Sequence, residues 1–242
     1  MLESMNLSNN GLTFLAISWS AVNGLPCKFL ASKLLGSPPL MSRLPCATEW
    51  PALKHLHLAD SLVYGHAVMH LSKPRWSQLE TVNLQNNRLH DYAIGLLVQA
   101  PWPMLKALRL DGNGLGAEGI GHLVKGEWPL LERLYLCRLD LDQAALMHLS
   151  NEDWPCLRTL DMCYNKRLLG AEAISHLAKG QWPLLEWVCL NANKFKDGAV
   201  LHKLSKAEWP VLKTLQVATC LCDALCNCIT TVGFVCRLCQ SV

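Results

Sequence analysis

The sequence predicts an α/β solenoid, a curved row of parallel strands with a helix following each one. Three observations lead there. Tryptophans recur at Trp50, Trp76, Trp102, Trp128, Trp154, Trp182 and Trp209, with successive spacings of 26, 26, 26, 26, 28 and 27 residues. Each opens a pattern whose clearest form is Trp128, Pro129, Leu131, Leu134, Leu136. Between one pattern and the next lies a stretch of helical character. A period in this range marks architectures whose units bury their apolar faces only against their neighbours.

One period shows how each element arises. After Trp102 and Pro103 come Leu105, Leu108 and Leu110, then Asn113 and Leu115. The alternation of Leu108 and Leu110 suits a short strand with one face buried. Asn113 stands where the chain turns away, and its side chain can bond backbone groups that the turn leaves unpaired. Residues 116–125 then place Ile120, Leu123 and Val124 at helical spacing. Glu118 lies near the start of that helix and Lys125 near its end, as the helix dipole prefers. Gly126 offers a left-handed stop, and Pro129 blocks any continuation.

Along the chain, strands centre on 55–58, 81–84, 107–110, 133–136, 159–162, 187–190 and 214–217. Helices cover roughly 64–73, 91–99, 116–125, 142–150, 171–179 and 197–206. Strands joined by crossover helices are parallel. They lie ~4.8 Å apart while helices need ~10 Å, so the array must curve with its strands inside. The tryptophans, at one place in every unit, are expected to form a core stack at the helix-to-strand corner.

This motif resembles that of the leucine-rich repeat family, L-x-x-L-x-L-x-x-N/C-x-L. Residues 79–89 carry it as Leu79, Val82, Leu84, Asn87 and Leu89, and residues 105–115 and 185–195 carry it too. Ser61 and Leu139 stand in the Asn slot, Cys220 takes it in the last unit, and Arg167 replaces a leucine in the 28-residue unit. The helical half resembles the ribonuclease-inhibitor-like and cysteine-containing repeats; in the latter, Cys-Pro-x-Leu opens the unit where Trp-Pro-x-Leu stands here. The resemblance covers roughly residues 50–222. It implies a horseshoe with parallel β-strands on the concave face and helices on the convex face. Members of the family bind partners of many kinds, so the fold leaves the function open.

Four parts follow from this pattern. Residues 1–12 form a partial repeat through Leu2, Met5, Leu7, Asn10 and Leu12; residues 13–49 are irregular or a degenerate repeat. Residues 50–222 are the solenoid of about seven units, and residues 223–242 are a cysteine-rich apolar tail. A chain that begins inside a motif, without the polar cap that solenoids need, is expected of a fragment of something longer.

Composition narrows the function. A net charge of +3 and a pI near 8.2 are mild and spread out, which favours neither nucleic acid nor a membrane surface as partner. The apolar run 224–236 is too short to span a bilayer. No phosphate-binding glycine loop, H-E-x-x-H or nucleophile elbow is present, so an enzyme is not expected and no cofactor is implied. Cys137, Cys156, Cys163 and Cys189 stand at mismatched repeat positions and read as free thiols of a reducing, cytoplasmic setting. Six of the twelve cysteines crowd residues 220–242, but a single C-x-x-C (Cys236, Cys239) lacks the doubled spacing of a zinc site. His70, His122, His148 and His176 recur with the helices, yet ~10 Å between helices keeps them from sharing one zinc at ~2.1 Å. They read as helix-surface residues, and no metal is expected.

The x positions of L-x-x-L-x-L face out of the sheet and vary without harming the core. They include His55, His57, Asn83 and Gln85, and then the candidate partner-binding set Arg109, Asp111, Arg133, Tyr135, Arg138, Asp161, Tyr164 and Trp187. Arg109, Tyr135 and Asp161 occupy one slot on three successive strands, with Trp187 expected exposed beside Tyr164. Arg, Tyr and Trp are the residues that most often dominate protein interfaces. The competing reading is a solvated sheet on which the charges of Arg109 and Asp161 merely balance. The expected function is a non-catalytic protein–protein interaction module, part of a sensor or adaptor. Alternatives are a regulator of an enzyme such as a ribonuclease or small GTPase, the substrate-recognition arm of a ubiquitin ligase, and an enzyme or metal protein built on the cysteine tail.

Overall fold

The computed structural model describes residues 3–6, 8–9, 51–72, 76–165, 170–193, 195, 199–217 and 229–231. Its strands are β1 (Ser4–Asn6), β2 (His55–His57), β3 (Thr81–Asn83), β4 (Ala107–Arg109), β5 (Arg133–Tyr135), β6 (Thr159–Asp161), β7 (Trp187–Cys189), β8 (Thr214–Gln216) and β9 (Ile229–Thr231). Its helices are α1 (Gly65–Leu71), α2 (Asp91–Leu97), α3 (Ala117–Leu123), α4 (Gln143–Ser150), α5 (Ala171–Leu177) and α6 (Ala199–Leu204). All nine strands form one open sheet in sequence order, with β1 to β8 parallel. Each helix packs against the next along the row. The chain is an α/β solenoid.

The strand centres and helices fall where the periodicity puts them, and β1, near the start of the chain, joins the same sheet. Ser4, Met5 and Asn6 align with His55, Leu56 and His57 although 51 residues separate the two strands. Residues 13–49, Trp50, Arg167 and Cys220 lie outside the described residues. So does most of the tail, apart from β9, which was not anticipated. It runs antiparallel to β8 and covers the last parallel edge with backbone hydrogen bonds.

The core is a column through the middle of every strand. Leu56, Val82, Leu108, Leu134, Leu160, Val188 and Leu215 are aligned in register and buried. Trp76, Trp102, Trp128, Trp154, Trp182 and Trp209 are buried at the corners, and the rings stack at both ends of the row. Trp76 and Trp102 lie 6.4 Å apart between centroids, Trp182 and Trp209 5.8 Å. The corner glycines serve this packing. Gly126 is not left-handed, contrary to the expectation from sequence; a Cβ there would stand 2.8 Å from the Trp128 ring. At Gly180 the same atom would meet Trp182 at 2.5 Å.

Three ladders run across the repeats. In the first, the buried amides of Asn87, Asn113, Asn165 and Asn193 each bridge two units. Asn165 Nδ2 donates to Leu136 O and Met162 O, both at 2.9 Å, while its Oδ1 accepts from Leu139 N at 2.9 Å. Such side chains satisfy turn groups that would otherwise be buried unpaired. Leu139 itself supplies no rung and is buried as a core residue instead.

In the second, a left-handed position recurs at the same place in successive units: Asn9, Asp60, Asn86, Gly112, Arg138, Tyr164 and Ala192, with φ between 50° and 65°; Leu62, at φ 54°, is a further left-handed residue outside this row. Each N–H from Asn9 to Tyr164 donates to a carbonyl of the following unit, as Arg138 does to Cys163 at 3.0 Å. Asn, Asp and Gly tolerate this conformation, whereas Arg, Tyr and Ala are strained by it.

In the third, the residue just before each of the strands β1 to β8 alternates in charge: Glu3, Lys54, Glu80, Lys106, Glu132, Arg158, Glu186, Lys213. Lys54 pairs with Glu3 at 3.4 Å, Lys106 with Glu80 at 2.9 Å and Lys213 with Glu186 at 2.6 Å; Glu186 also holds Arg158. These cations hold the Glu80 and Glu186 carboxyls below their ordinary range, chiefly through the hydrogen bonds from Lys106 and from Lys213.

The helical histidines are less superficial than their sequence pattern suggests. His122 lies over Gly95 of the preceding helix, where an added Cβ would come within 3.5 Å of the ring, and His148 lies over Gly121 in the same way. Both are half-buried in the seam between helices.

Candidate functional site: the exposed face of the sheet

The strands are three residues long, and the residues either side of the buried column look outward except Ala107 and Cys189, which are buried. The third residues of β2 to β8 form one row: His57, Asn83, Arg109, Tyr135, Asp161, Cys189 and Gln216. The structure therefore sets Arg109, Tyr135 and Asp161 side by side, as the repeat spacing predicts. The Arg109 guanidinium lies over the Tyr135 ring, 4.1 Å from its centroid. His57 at the near end of the row is held below the ordinary imidazole value, first by burial and then by the charges of His55 and Arg109.

A second pair stands beyond the strand ends. Arg138 and Tyr164 are exposed, each at the left-handed position of its loop, and the guanidinium of Arg138 lies 5.3 Å from the Tyr164 ring centroid. Two cationic side chains thus rest on two aromatic faces across successive repeats, an arrangement that fixes long side chains before anything binds.

The remaining candidates divide. Arg133 is exposed at the first position of β5, in line with Thr159 and Trp187. Trp187 is half-buried rather than fully exposed, and it starts β7 while Tyr164 lies in the loop after β6. The structure does not bring those two together as the sequence suggested. Asp111 is turned inward: it is 9% exposed, and its Oδ1 accepts from Cys137 N at 2.8 Å. Burial raises its carboxyl above the ordinary range, against the pull of the Cys137 amide and Arg109. It shapes the loop that carries Cys137 and Arg138.

Sequence reasoning missed a thiol cluster in the middle of this face. Cys137 and Cys163 occupy the same slot in successive units, two residues beyond their strands, one period apart. Their sulfurs and the Asp161 carboxylate lie within 4.8 Å of one another. Cys189 reaches the same neighbourhood from β7, where its Sγ donates to Gln216 Oε1 at 3.2 Å. All are free thiols. Cys163 is pushed well up by its hydrogen bond to Cys137, and Cys189 by its bond to Cys163. For Cys137 the bond from Cys163 pulls downward, but burial and Asp161 outweigh it and the thiol is raised. None is a ready nucleophile at neutral pH. The signal that could have revealed the cluster was the 26-residue step between Cys137 and Cys163, the period of the repeat itself.

Neither a family model nor a curated protein matches the sequence. Among solved structures, a chain from the crystal structure of the Rad7 and Elc1 complex in yeast is similar to it. The two are 13% identical, with a TM-score of 0.38 over 68% of this chain. The chain spans about 57% of that neighbour's length. Among the described residues no helix is long and apolar enough to cross a membrane.

Proposed function

We propose that the chain is a non-catalytic interaction module of the leucine-rich repeat type that binds a protein partner on the exposed face of its sheet. The observation that carries this is the pair of Arg–Tyr stacks, Arg109 on Tyr135 and Arg138 on Tyr164. Arg138 and Tyr164 occupy backbone positions that strain both residues, in a ladder where the other units use Asn, Asp, Gly or, once, Ala. Strained residues cluster at functional sites, and at these two positions, unlike at Ala192, the strained residue carries a side chain that takes part in a stack. Arg109, Arg133 and Arg138 outweigh Asp161 among the outward charges, so the face suits a partner with acidic and aromatic groups. It fits less well a regulator that works through an acidic patch. The leucine-rich repeat resemblance makes a sensor or a ubiquitin-ligase adaptor the kind of assembly such a module serves, in a reducing, intracellular compartment.

The test is affinity capture from native lysate with the wild type and with Tyr135→Ala, Tyr164→Ala, Trp187→Ala and, as control, Glu118→Ala on the helix face. Partners recovered by the wild type and the control but lost with the tyrosine variants support the reading. Partners that follow Glu118→Ala instead place the binding surface on the helices and overturn it.

A further inference from the structure

We propose that Cys137, Cys163 and Asp161 form a binding site for a thiophilic divalent cation, zinc in the first place, on the exposed face of the sheet. The inference concerns the chain's own chemistry and holds whether or not that face also binds a protein.

Geometry comes first. One donor atom from each of the three residues lies within 4.8 Å of the other two. Donors around a tetrahedral zinc, at ~2.3 Å for sulfur and ~2.0–2.2 Å for oxygen, stand ~3.5–4 Å apart. A small rotation about each side chain closes the remaining gap. The backbone that carries the donors is already fixed. Cys137 N donates to Asp111 Oδ1 at 2.8 Å, Arg138 N to Cys163 O at 3.0 Å, and Cys163 N to Asp161 Oδ1 at 3.2 Å. This last bond also orients the Asp161 carboxylate beside the sulfurs.

The donor set selects the ion. Two thiols and one carboxylate suit zinc and its thiophilic relatives, whereas magnesium and calcium demand more oxygens than are present here. Binding displaces the two thiol protons, so the cation joins the site as two thiolates and a carboxylate. Cys137 and Asp161 are half-buried and open to the outside, while Cys163 is 9% exposed. Three ligands from this chain leave a fourth position facing solvent, where water or a partner's side chain can enter. Cys189 lies at the edge of the cluster, its thiol shared between Gln216 and Cys163.

Cobalt(II) titration of the full chain, reduced with a phosphine and kept anaerobic, tests this directly. The expected result is one equivalent of cobalt with thiolate-to-cobalt charge-transfer and tetrahedral ligand-field bands, bleached by zinc. Cys137→Ser and Cys163→Ser should abolish the charge-transfer bands, and Asp161→Asn should weaken binding by about tenfold or more. Changing Cys236 and Cys239 of the tail together to serine should leave the spectrum intact. Cys163→Ala is included because it keeps the site apolar if the serine variant fails to fold, with each melting curve as the check. An unchanged spectrum in a folded Cys163→Ala variant overturns the proposal, and so does loss of the spectrum in the tail variant. A chain that forms a Cys137–Cys163 disulfide and takes up no cobalt once reduced overturns it too.

Discussion

The guanidinium of Arg109 rests 4.1 Å from the centre of the Tyr135 ring, on the next strand in the same row. The two side chains hold each other in place before any partner arrives. Cation–π pairs at exposed positions are worth ~0.5–1 kcal/mol. A double-mutant cycle on urea stability with Arg109→Ala, Tyr135→Ala and the combined variant should return a coupling of that size. Strictly additive effects would mean the contact does not hold the pair in solution.

The left-handed ladder gives an opposite prediction at two of its positions. Ala192 has φ 56° and no side chain that could repay the strain. Ala192→Gly should raise stability by about 1 kcal/mol. Tyr164→Gly should relieve the same strain while reducing partner capture, a gain in stability at the expense of function. Urea midpoints measured beside the capture assay will show whether the two readouts separate.

Trp128 lies inside the corner row and is 5% exposed. Its replacement by alanine should cost ~3–5 kcal/mol through the cavity left behind. Gly180→Ala should cost ~1–3 kcal/mol for the converse reason, since the Trp182 ring occupies the space the new methyl needs. Lys125→Ala, on an exposed residue after α3, serves as reference. Melting temperatures of the Trp128 and Gly180 variants equal to that reference would remove the tryptophans from the core.

Asp111 provides a pH test. Burial raises its carboxyl in the folded state, so the unfolded chain ionises first. The charged form therefore destabilises the fold at neutral pH, and that cost disappears as the pH falls below about 4, where both states are protonated. An asparagine keeps the oxygen that accepts from Cys137. Asp111→Asn should melt higher than wild type at neutral pH and equal to it at low pH. A difference independent of pH would assign the effect to packing.

The fold was legible in the sequence because every unit repeats the same constraint. Leu105, Leu108 and Leu110 mean little alone, but seven tryptophans with the same leucines behind them leave one solution. The site was legible only in part, since its meaning lies in how neighbouring units meet. The slot shared by Arg109, Tyr135 and Asp161 follows from the period. The inward turn of Asp111 does not, because it depends on the Cys137 amide one unit away. Trp187 and Tyr164 seemed adjacent because both belong to outward positions, yet they occupy opposite ends of their units. The thiol cluster escaped because the 28-residue unit puts Cys189 in a different slot from Cys137 and Cys163, which blurs a pattern that two of the three keep. Gly126 carried a standard helix-stop signal that the Trp128 ring overrode.

The alternation from Glu3 to Lys213 gives the solenoid a parity. Excising any single interior unit would set two like charges side by side, whereas excising two adjacent units would restore the sequence of signs. The smallest piece that can be copied or cut without an electrostatic seam is therefore a doublet. The same rule operates where the chain departs from its period: Glu3 meets Lys54 across a 51-residue excursion, and the alternation of signs passes through that junction unbroken.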